Sequence, residues 1–390
     1  MRLTVASCDA YRVVMNKQKR HAIVAVVGNP ASNNGKGAKA GSRVLDLLNE
    51  RGRAHGFAAK DLTGETVAES IANMQAAQGT YDYLIVVGGD GMVSLGVNAV
   101  ANSGTPMGIV GVGSGNDFAR GLKLPVNRIE TAVEGIVGAI VCGSCMDIDM
   151  GYVSGQNLAD AMPGTGDAGL GNGRFFAGML SCGIDASIND RANRSRLPGG
   201  SLRYFAAVLA ELLHMKRYGY HVEATTADGT VEEWDMATPL LTVANSRHIG
   251  GGIEVSPYSS LDDGLLDMVW MNRMPGCVEL MRALRHAYDG RLLASQFLSW
   301  QRVRSVSITR SADGDGSPTA MADGDEPPTA MADGECVGPL PLHVESCKQM
   351  LRVLLPPAVV DWHRGRHGKQ QIKQFNPHDA RDIRNRKHTK

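Results

Sequence analysis

Apolar positions fall along this chain in two rhythms. Up to about residue 140, β-branched runs alternate with segments of helical spacing. "HAIVAVVGNP" (21–30) is a continuous apolar run closed by Gly28 and Pro30, which predicts a strand buried on both faces. "SRVLDLLNERG" (42–52) spaces Val44, Leu47 and Leu48 for a helix ending at Gly52. "AAKDLTG" (58–64) reads as a second strand, "ETVAESIANMQAAQG" (65–79) as a helix and "YDYLIVVGG" (81–89) as the clearest strand. After it come a helix at 92–104, a short strand with a glycine turn at 106–115, a helical turn at 116–125 stopped by Pro125, and a helix at 128–140. This succession predicts βαβ crossovers and a largely parallel, doubly wound sheet with helices on both faces.

Near Asp147 the rhythm changes. Residues 146–155, 173–188, 220–246 and 265–272 are short strand-like runs broken by Gly and Asp. Helices are expected only at 201–217 and at about 276–298, so this part reads as a β-rich second domain. Residues 158–173 read as a surface loop, and "LPLHVE" and "MLRVLLPP" as closing strands. The expected division is an extension at 1–20, an α/β domain at 21–147 with 346–357 returning to it, a β domain at 148–345, and a basic, disordered tail at 358–390. One internal repeat stands out: "ADGDGSPTAM" (312–321), "ADGDEPPTAM" (322–331) and the start of a third copy, "ADGE" (332–335). A ten-residue unit is too short for a solenoid, which makes this a local duplication in a loop.

Composition narrows the function classes. With 390 residues, 43% apolar and 21% charged, the chain can build two cores. A formal net charge of +0 gives no bulk attraction to nucleic acid. Residues 361–390 nevertheless hold nine Lys/Arg against three Asp/Glu, suited to an anionic surface. The first 21 residues lack the apolar core of a signal peptide, and no apolar run is long enough to span a bilayer, so a cytoplasmic protein that meets a membrane only from outside is expected. Seven cysteines without regular spacing, including a lone Cys142-Gly-Ser-Cys145, read as free thiols.

Three glycine-rich loops, 28–37, 88–91 and 111–115, fall at strand ends, where parallel sheets bind ligands. Glycines there let backbone N–H groups approach phosphate. None matches a Walker A loop, since Lys36 is followed by Gly37; none matches G-x-G-x-x-G, since Gly111, Gly113 and Gly115 alternate. Asp90, set among Gly88, Gly89 and Gly91, would repel a phosphate unless a cation lay between them, which points to Mg²⁺. Asp117, at the next strand end, could share that ion.

"GGDG" (88–91), "GSGNDFARGLKLP" (113–125) and "NP" (29–30), in this order, resemble the diacylglycerol kinase catalytic family. "DMG" (149–151), "NSRHIGGGIEVSPYSSLDDGLLDMVWM" (245–271) and "ADGECVGPLPLHVE" (332–345) resemble the β-sandwich domain of its soluble bacterial members. The resemblance implies an N-terminal α/β domain of the NAD-kinase and phosphofructokinase kind, a C-terminal β-sandwich, and an active site between them. It implies an ATP- and Mg²⁺-dependent kinase acting on a lipid hydroxyl at a membrane surface, with diacylglycerol the first acceptor to test. A sphingoid base or phosphatidylglycerol stays open as the acceptor, as does a non-catalytic lipid- or nucleotide-binding protein.

Residue by residue, the resemblance places the nucleotide on Asn29, Ser32, Thr63, Gly88, Gly89, Asp90, Gly91, Gly113, Ser114, Gly115, Asn116 and Asp117. It places its Mg²⁺ on Asp90, Asp117 and Asp149. It makes Asp333 the catalytic base with Glu335 beside it, and puts a structural Mg²⁺ on Asp263 with the carbonyls of Ser260 and Leu265. It also implies a peripheral position at the inner face of the membrane and a homodimer. The chain departs from the family pattern at Met92, Ser94, Leu95, Gly111 and Ser114. Met92 is expected to pack the first helical turn against the sheet.

Overall fold

The computed structural model describes residues 21–30, 36–156, 158, 173–183, 216–311 and 329–365. The first half contains β1 (Ala22–Gly28), α1 (Lys36–His55), β2 (Phe57–Asp61), α2 (Val67–Ala76), β3 (Tyr83–Gly88), α3 (Asp90–Val100), β4 (Met107–Gly111), α4 (Asp117–Gly121) and α5 (Ile129–Cys142). Strands β2, β1, β3 and β4 lie side by side and parallel. The two-residue period of a strand divides their side chains between two cores. Val24, Val26, Ile85 and Val87 meet Val44, Leu48, Val133 and Ile136 of α1 and α5. Ala25, Val27, Leu84 and Val86 meet Met74 of α2 and Met92, Leu95 and Val97 of α3 on the other face. The expected doubly wound sheet is therefore present.

Helix α3 is buried nearly all round, from Met92 through Asn98. A Cβ added at Gly88 would lie 2.6 Å from Met92 Cβ, so Met92 does pack the first turn against the strand end. Leu95 is in the same core.

The second half contains β5 (Cys145–Gly155), β6 (Gly173–Phe176), β7 (Met179–Ser181), β8 (Tyr218–Thr226), β9 (Val231–Thr238), β10 (Leu241–Ala244), β11 (His248–Ile249) and β12 (Ile253–Glu254). It continues with β13 (Leu266–Met271), α6 (Cys277–Leu284), a 3₁₀ turn at Leu292–Ala294, β14 (Leu298–Arg310), β15 (Ala330–Ala332), β16 (Glu335–Gly338), β17 (Leu342–Leu354) and α7 (Pro357–Arg364). Its core is formed by Phe176, Leu180, Tyr220, Val222, Val243, Met268, Val306 and Ile308, among others.

Two long strands join the halves. β5 and β17 pair antiparallel from Leu342↔Gly155 to Leu354↔Cys145, with a register shift between Cys347 and Leu351. Beyond that shift β17 pairs parallel to β4 through Val353↔Met107; before it, β17 pairs with β14. A single sheet thus runs from the α/β half into the β half.

Several expectations need correction. The helix expected at about 276–298 is only the eight residues of α6; turns follow it through the left-handed Gly290 (φ +73°) to the 3₁₀ turn at Leu292–Ala294, and β14 begins at Leu298. β14 itself lacks a clean alternation, because its register on β8 shifts between Val303 and Ser305. Residues 358–364 are not tail but part of α7, which starts with Pro357 at its first position. The helix expected at 201–217 falls largely outside the described residues, as do the surface loop's core and the first two repeat copies. The six described cysteines are free thiols.

Candidate active site

The site is built from loops that follow parallel strands. At the end of β1, Gly28 N–H donates to Thr63 Oγ1 at 3.0 Å, and Thr63 N–H donates to Asp61 Oδ1, which ties the β1 and β2 ends together. Asn29 stands just beyond β1 and Ser32 lies outside the described residues. Between the β3 and β4 loops the backbones are in contact. A Cβ on Gly113 would sit 2.4 Å from the Cα of Gly89, so only glycine fits there. Asn116 locks the second loop: its Oδ1 accepts from Gly113 N–H at 2.8 Å and its Nδ2 donates to Gly113 O at 2.7 Å. Asn116 itself is left-handed (φ 55°), a conformation its short polar side chain tolerates. Ser114 is exposed at the loop tip.

Those loops bring two carboxylates together. A Cβ on Gly115 would lie 2.7 Å from Asp90 Oδ2 and 3.3 Å from Asp117 Oδ2. Asp90 opens α3 and Asp117 opens α4. Asp90 Oδ1 accepts from Phe118 N–H at 3.3 Å. Asp117 reaches the other half of the molecule: its Oδ1 accepts from Gly252 N–H at 2.7 Å, and both its oxygens lie 3.0 Å from Gly251 N. Burial pushes the Asp90 carboxyl above its ordinary range. Burial, and then the Asp90 charge, push Asp117 up to about 6. Two partly dehydrated carboxylates that oppose each other's ionisation are poised for a cation.

The turn between β15 and β16 supplies the other acids. Asp333, left-handed at φ 51°, accepts at Oδ1 from Gly178 N–H (2.8 Å) and Met179 N–H (3.0 Å), and at Oδ2 from Ala177 N–H (2.7 Å). Burial raises its carboxyl to about 6; the three N–H donors oppose that rise and the Asp90 charge adds to it. Glu335 Oε1 lies 3.1 Å from where a Cβ on Gly91 would be, so this exposed carboxylate stands over the start of α3. Asp90, Gly91, Gly115, Asp117, Asp333 and Glu335 therefore converge from both halves of the chain.

Asp149 does not join them. Its Oδ2 accepts from Gly264 N–H at 2.6 Å and its Oδ1 from Gln349 N–H at 2.9 Å. It fastens the point where β5 and β17 pass between the halves, and Gln349 sits within the register shift. Among the described residues no three His, Cys, Asp or Glu are placed to hold a metal ion together. Asp90 and Asp117 still fit Mg²⁺, which binds through one or two carboxylates plus substrate phosphates.

The loop expected to hold a structural Mg²⁺ does not fit one. Asp263 Oδ2 lies 3.2 Å from Arg302 Nη1, and its Oδ1 accepts from Leu265 N–H at 3.0 Å. Arg302 also reaches Asp267 Oδ1 (3.3 Å) and the Tyr258 carbonyl. The Ser260 hydroxyl donates to Asp262. A guanidinium already supplies the positive charge there.

Sequence reasoning missed the parts played here by Gly251, Gly252, Arg174 and Ser94. Gly251 and Gly252 had a visible signal, the run Gly250–Gly252, all at positive φ. Arg174 and Ser94 had none. Arg174, 6% exposed, donates to Ser94 Oγ (3.2 Å) and the Cys336 carbonyl (3.3 Å). Asn98 exchanges two hydrogen bonds with the backbone of Phe175. These contacts dock α3 on the β half beside the Asp333 turn.

A family model described as the diacylglycerol kinase catalytic domain matches residues 23–152, and one described as the YegS C-terminal NAD kinase beta sandwich-like domain matches 178–355. A diacylglycerol kinase of Mycobacterium tuberculosis is 31% identical over 306 residues, covering 76% of this chain and 90% of that protein. A diacylglycerol kinase of Bacillus subtilis is 25% identical over 288 residues, covering 73% and 85%. The crystal structure of a diacylglycerol kinase from Bacillus anthracis has a TM-score of 0.57 at 17% identity, covering 88% of this chain and 99% of that one, a likeness of fold. Fold and matched domains together define the class, a two-domain lipid kinase. This chain belongs to the diacylglycerol kinase family.

Proposed function

We propose that this protein transfers the γ-phosphoryl group of ATP, with Mg²⁺, to the free hydroxyl of a lipid, diacylglycerol first. The observation that supports it most is the facing pair Asp90 and Asp117 beside glycine loops whose backbones touch. Mg²⁺ held by Asp90 and Asp117 would neutralise phosphate charge, the main need of phosphoryl transfer. The N–H groups of the 88–91 and 113–116 loops would take the phosphate oxygens. Asp333 would accept the lipid hydroxyl's proton while that oxygen bonds to the γ-phosphorus and ADP leaves. Its Oδ2 has one backbone donor where Oδ1 has two, so Oδ2 is the better placed acceptor.

No described helix is long and apolar enough to cross a membrane, which suits an enzyme that takes its lipid from the bilayer surface. The deciding experiment incubates the protein with radiolabelled ATP and Mg²⁺ and a panel of diacylglycerol, sphingosine and phosphatidylglycerol, with Asp90→Ala as control. Label in phosphatidic acid, absent with Asp90→Ala, is expected. Label in none of the lipids would overturn the reading.

A further inference from the structure

We propose that the exposed face of α6 and the turn after it seats this protein on an anionic lipid bilayer. The inference rests on the reading of the protein as a lipid kinase and deepens it by naming where the lipid arrives.

Eight large apolar side chains are exposed among the described residues, and four of them fall between Met274 and Tyr288. Val278 is 74% exposed, Tyr288 69% and Met281 56%; Met274 joins them. Val278 and Met281, three residues apart on α6, share one face of that helix, and Met274 and Tyr288 lie in the segments that immediately flank it, so the four are clustered rather than scattered exceptions. The opposite face holds α6 to the protein, with Ala283 packed beside Met271 and Phe297. Clustered exposure of this kind marks an interaction surface, whereas single exposed apolar residues do not.

The surrounding charge selects the partner. Residues 273–291 contain four arginines and two carboxylates. Glu279 is taken by Arg273 at 2.6 Å and Asp289 by Arg291 at 2.5 Å. Arg282 and Arg285, both exposed, give the patch its net positive charge. An apolar stripe edged by arginines matches the boundary between acyl chains and anionic head groups.

The patch is also continuous with the candidate active site. A Cβ on Gly252 would lie 3.8 Å from Cδ1 of Tyr288, and the Gly252 N–H donates to Asp117 at 2.7 Å. One residue therefore separates the Tyr288 ring from the acidic pair. A lipid leaving the bilayer along this face reaches the cleft without crossing open water.

The test is co-sedimentation of the full chain with vesicles of phosphatidylcholine containing phosphatidylglycerol, against phosphatidylcholine alone. Binding is expected only to the anionic vesicles. Val278→Asp with Met281→Asp, and separately Arg282→Glu with Arg285→Glu, should each weaken it about tenfold or more. Val278→Thr with Met281→Gln is a milder pair, used if the first lowers the melting temperature. The same variants should lose turnover of vesicle-borne diacylglycerol and keep turnover of a short-chain, water-soluble diacylglycerol. Wild-type binding by all three pairs would overturn the proposal. So would a lipid-free dimer that these variants dissolve, since the face would then be a subunit contact. Sedimentation needs no catalysis, so a chain that binds vesicles but phosphorylates nothing would sink the kinase reading and leave the docking surface standing.

Discussion

Asp90 and Asp117 begin different helices, yet their Oδ2 atoms flank the same small space above Gly115. Neither charge is welcome alone: burial raises both carboxyls, and for Asp117, raised to about 6, the Asp90 charge adds to the effect of burial. Asp90→Asn keeps the shape and removes one charge. Phosphoryl transfer should fall at least about 100-fold, equivalent to about 2.7 kcal/mol of barrier. The melting temperature should not fall, because a repulsion is lost with the charge. A labelled-ATP assay beside a thermal melt checks both, and full activity in Asp90→Asn would remove this pair from the mechanism.

The glycines of the two loops should differ in tolerance. At Gly113 an added Cβ meets backbone, the Gly89 Cα at 2.4 Å. At Gly115 it meets the Asp90 carboxylate at 2.7 Å, and at Gly91 only the end of the exposed Glu335 side chain at 3.1 Å. Gly113→Ala should therefore lower stability as well as activity. Gly115→Ala should fold but lose activity about 10–100-fold by displacing the carboxylates. Gly91→Ala should cost the least. An equal loss in all three would mean that space above the loops is not what matters.

The loops were legible in the sequence because each is local: an apolar strand, a glycine turn, a helix start. Asp90 and Asp117 could be paired for the same reason. What meets Asp117 could not be read, since Gly251 lies 134 residues away in sequence. Asp149 shows the same limit more sharply. Its "DMG" setting looks like that of a site residue, but the donors that claim it, on Gly264 and Gln349, are 115 and 200 residues distant. Apolar rhythm also misled in two places. Leu292 and Leu293 continued the helical spacing past Gly290, and the register shift in β14 hid a thirteen-residue strand.

To act as the proposed base Asp333 must be ionised, and its carboxyl is raised to about 6. As pH falls through that value the base becomes protonated, so kcat/KM should drop about tenfold per unit below it and level off above. An activity profile that stays flat down to pH 4 would exclude Asp333 as the base. Asp333→Ala should lose about 10²–10⁴-fold. Asp313→Ala and Asp323→Ala, in the upstream repeat copies, should keep wild-type activity.

Arg302 stands against Asp263 and Asp267, where burial raises both carboxyls. With a guanidinium in place, the loop needs no divalent ion. Chelation by EDTA should leave the wild-type melting temperature unchanged. Arg302→Met removes the partner of two acids, one of them fully buried, and should cost about 3 kcal/mol. Mg²⁺ or Ca²⁺ should then recover part of that loss in the variant alone. A wild-type melting temperature that falls with EDTA would show that a metal, not Arg302, holds this loop.

Arg174 joins the helix that begins at Asp90 to the strand that begins at Glu335, through Ser94 Oγ and the Cys336 carbonyl. Its Nε has no hydrogen-bond partner among the described residues. The guanidinium's hydrogen bonds go to Ser94 and Cys336 rather than to Asp90 or Asp333, so it acts by fixing the two segments on which the acids stand. Removing it should therefore change kcat more than the ATP KM. Arg174→Met should lower kcat about 10–100-fold, since displacing a base by an ångström is enough for that. Arg174→Lys can keep one of the two bonds and should recover part of the rate. Ser94→Ala removes the helix-side acceptor but leaves the Cys336 bond, so its loss should be smaller than that of Arg174→Met. If Arg174→Met instead raised the ATP KM at constant kcat, the residue would belong to nucleotide binding. Equal losses in Met and Lys variants with lowered melting temperatures would reduce Arg174 to a packing residue.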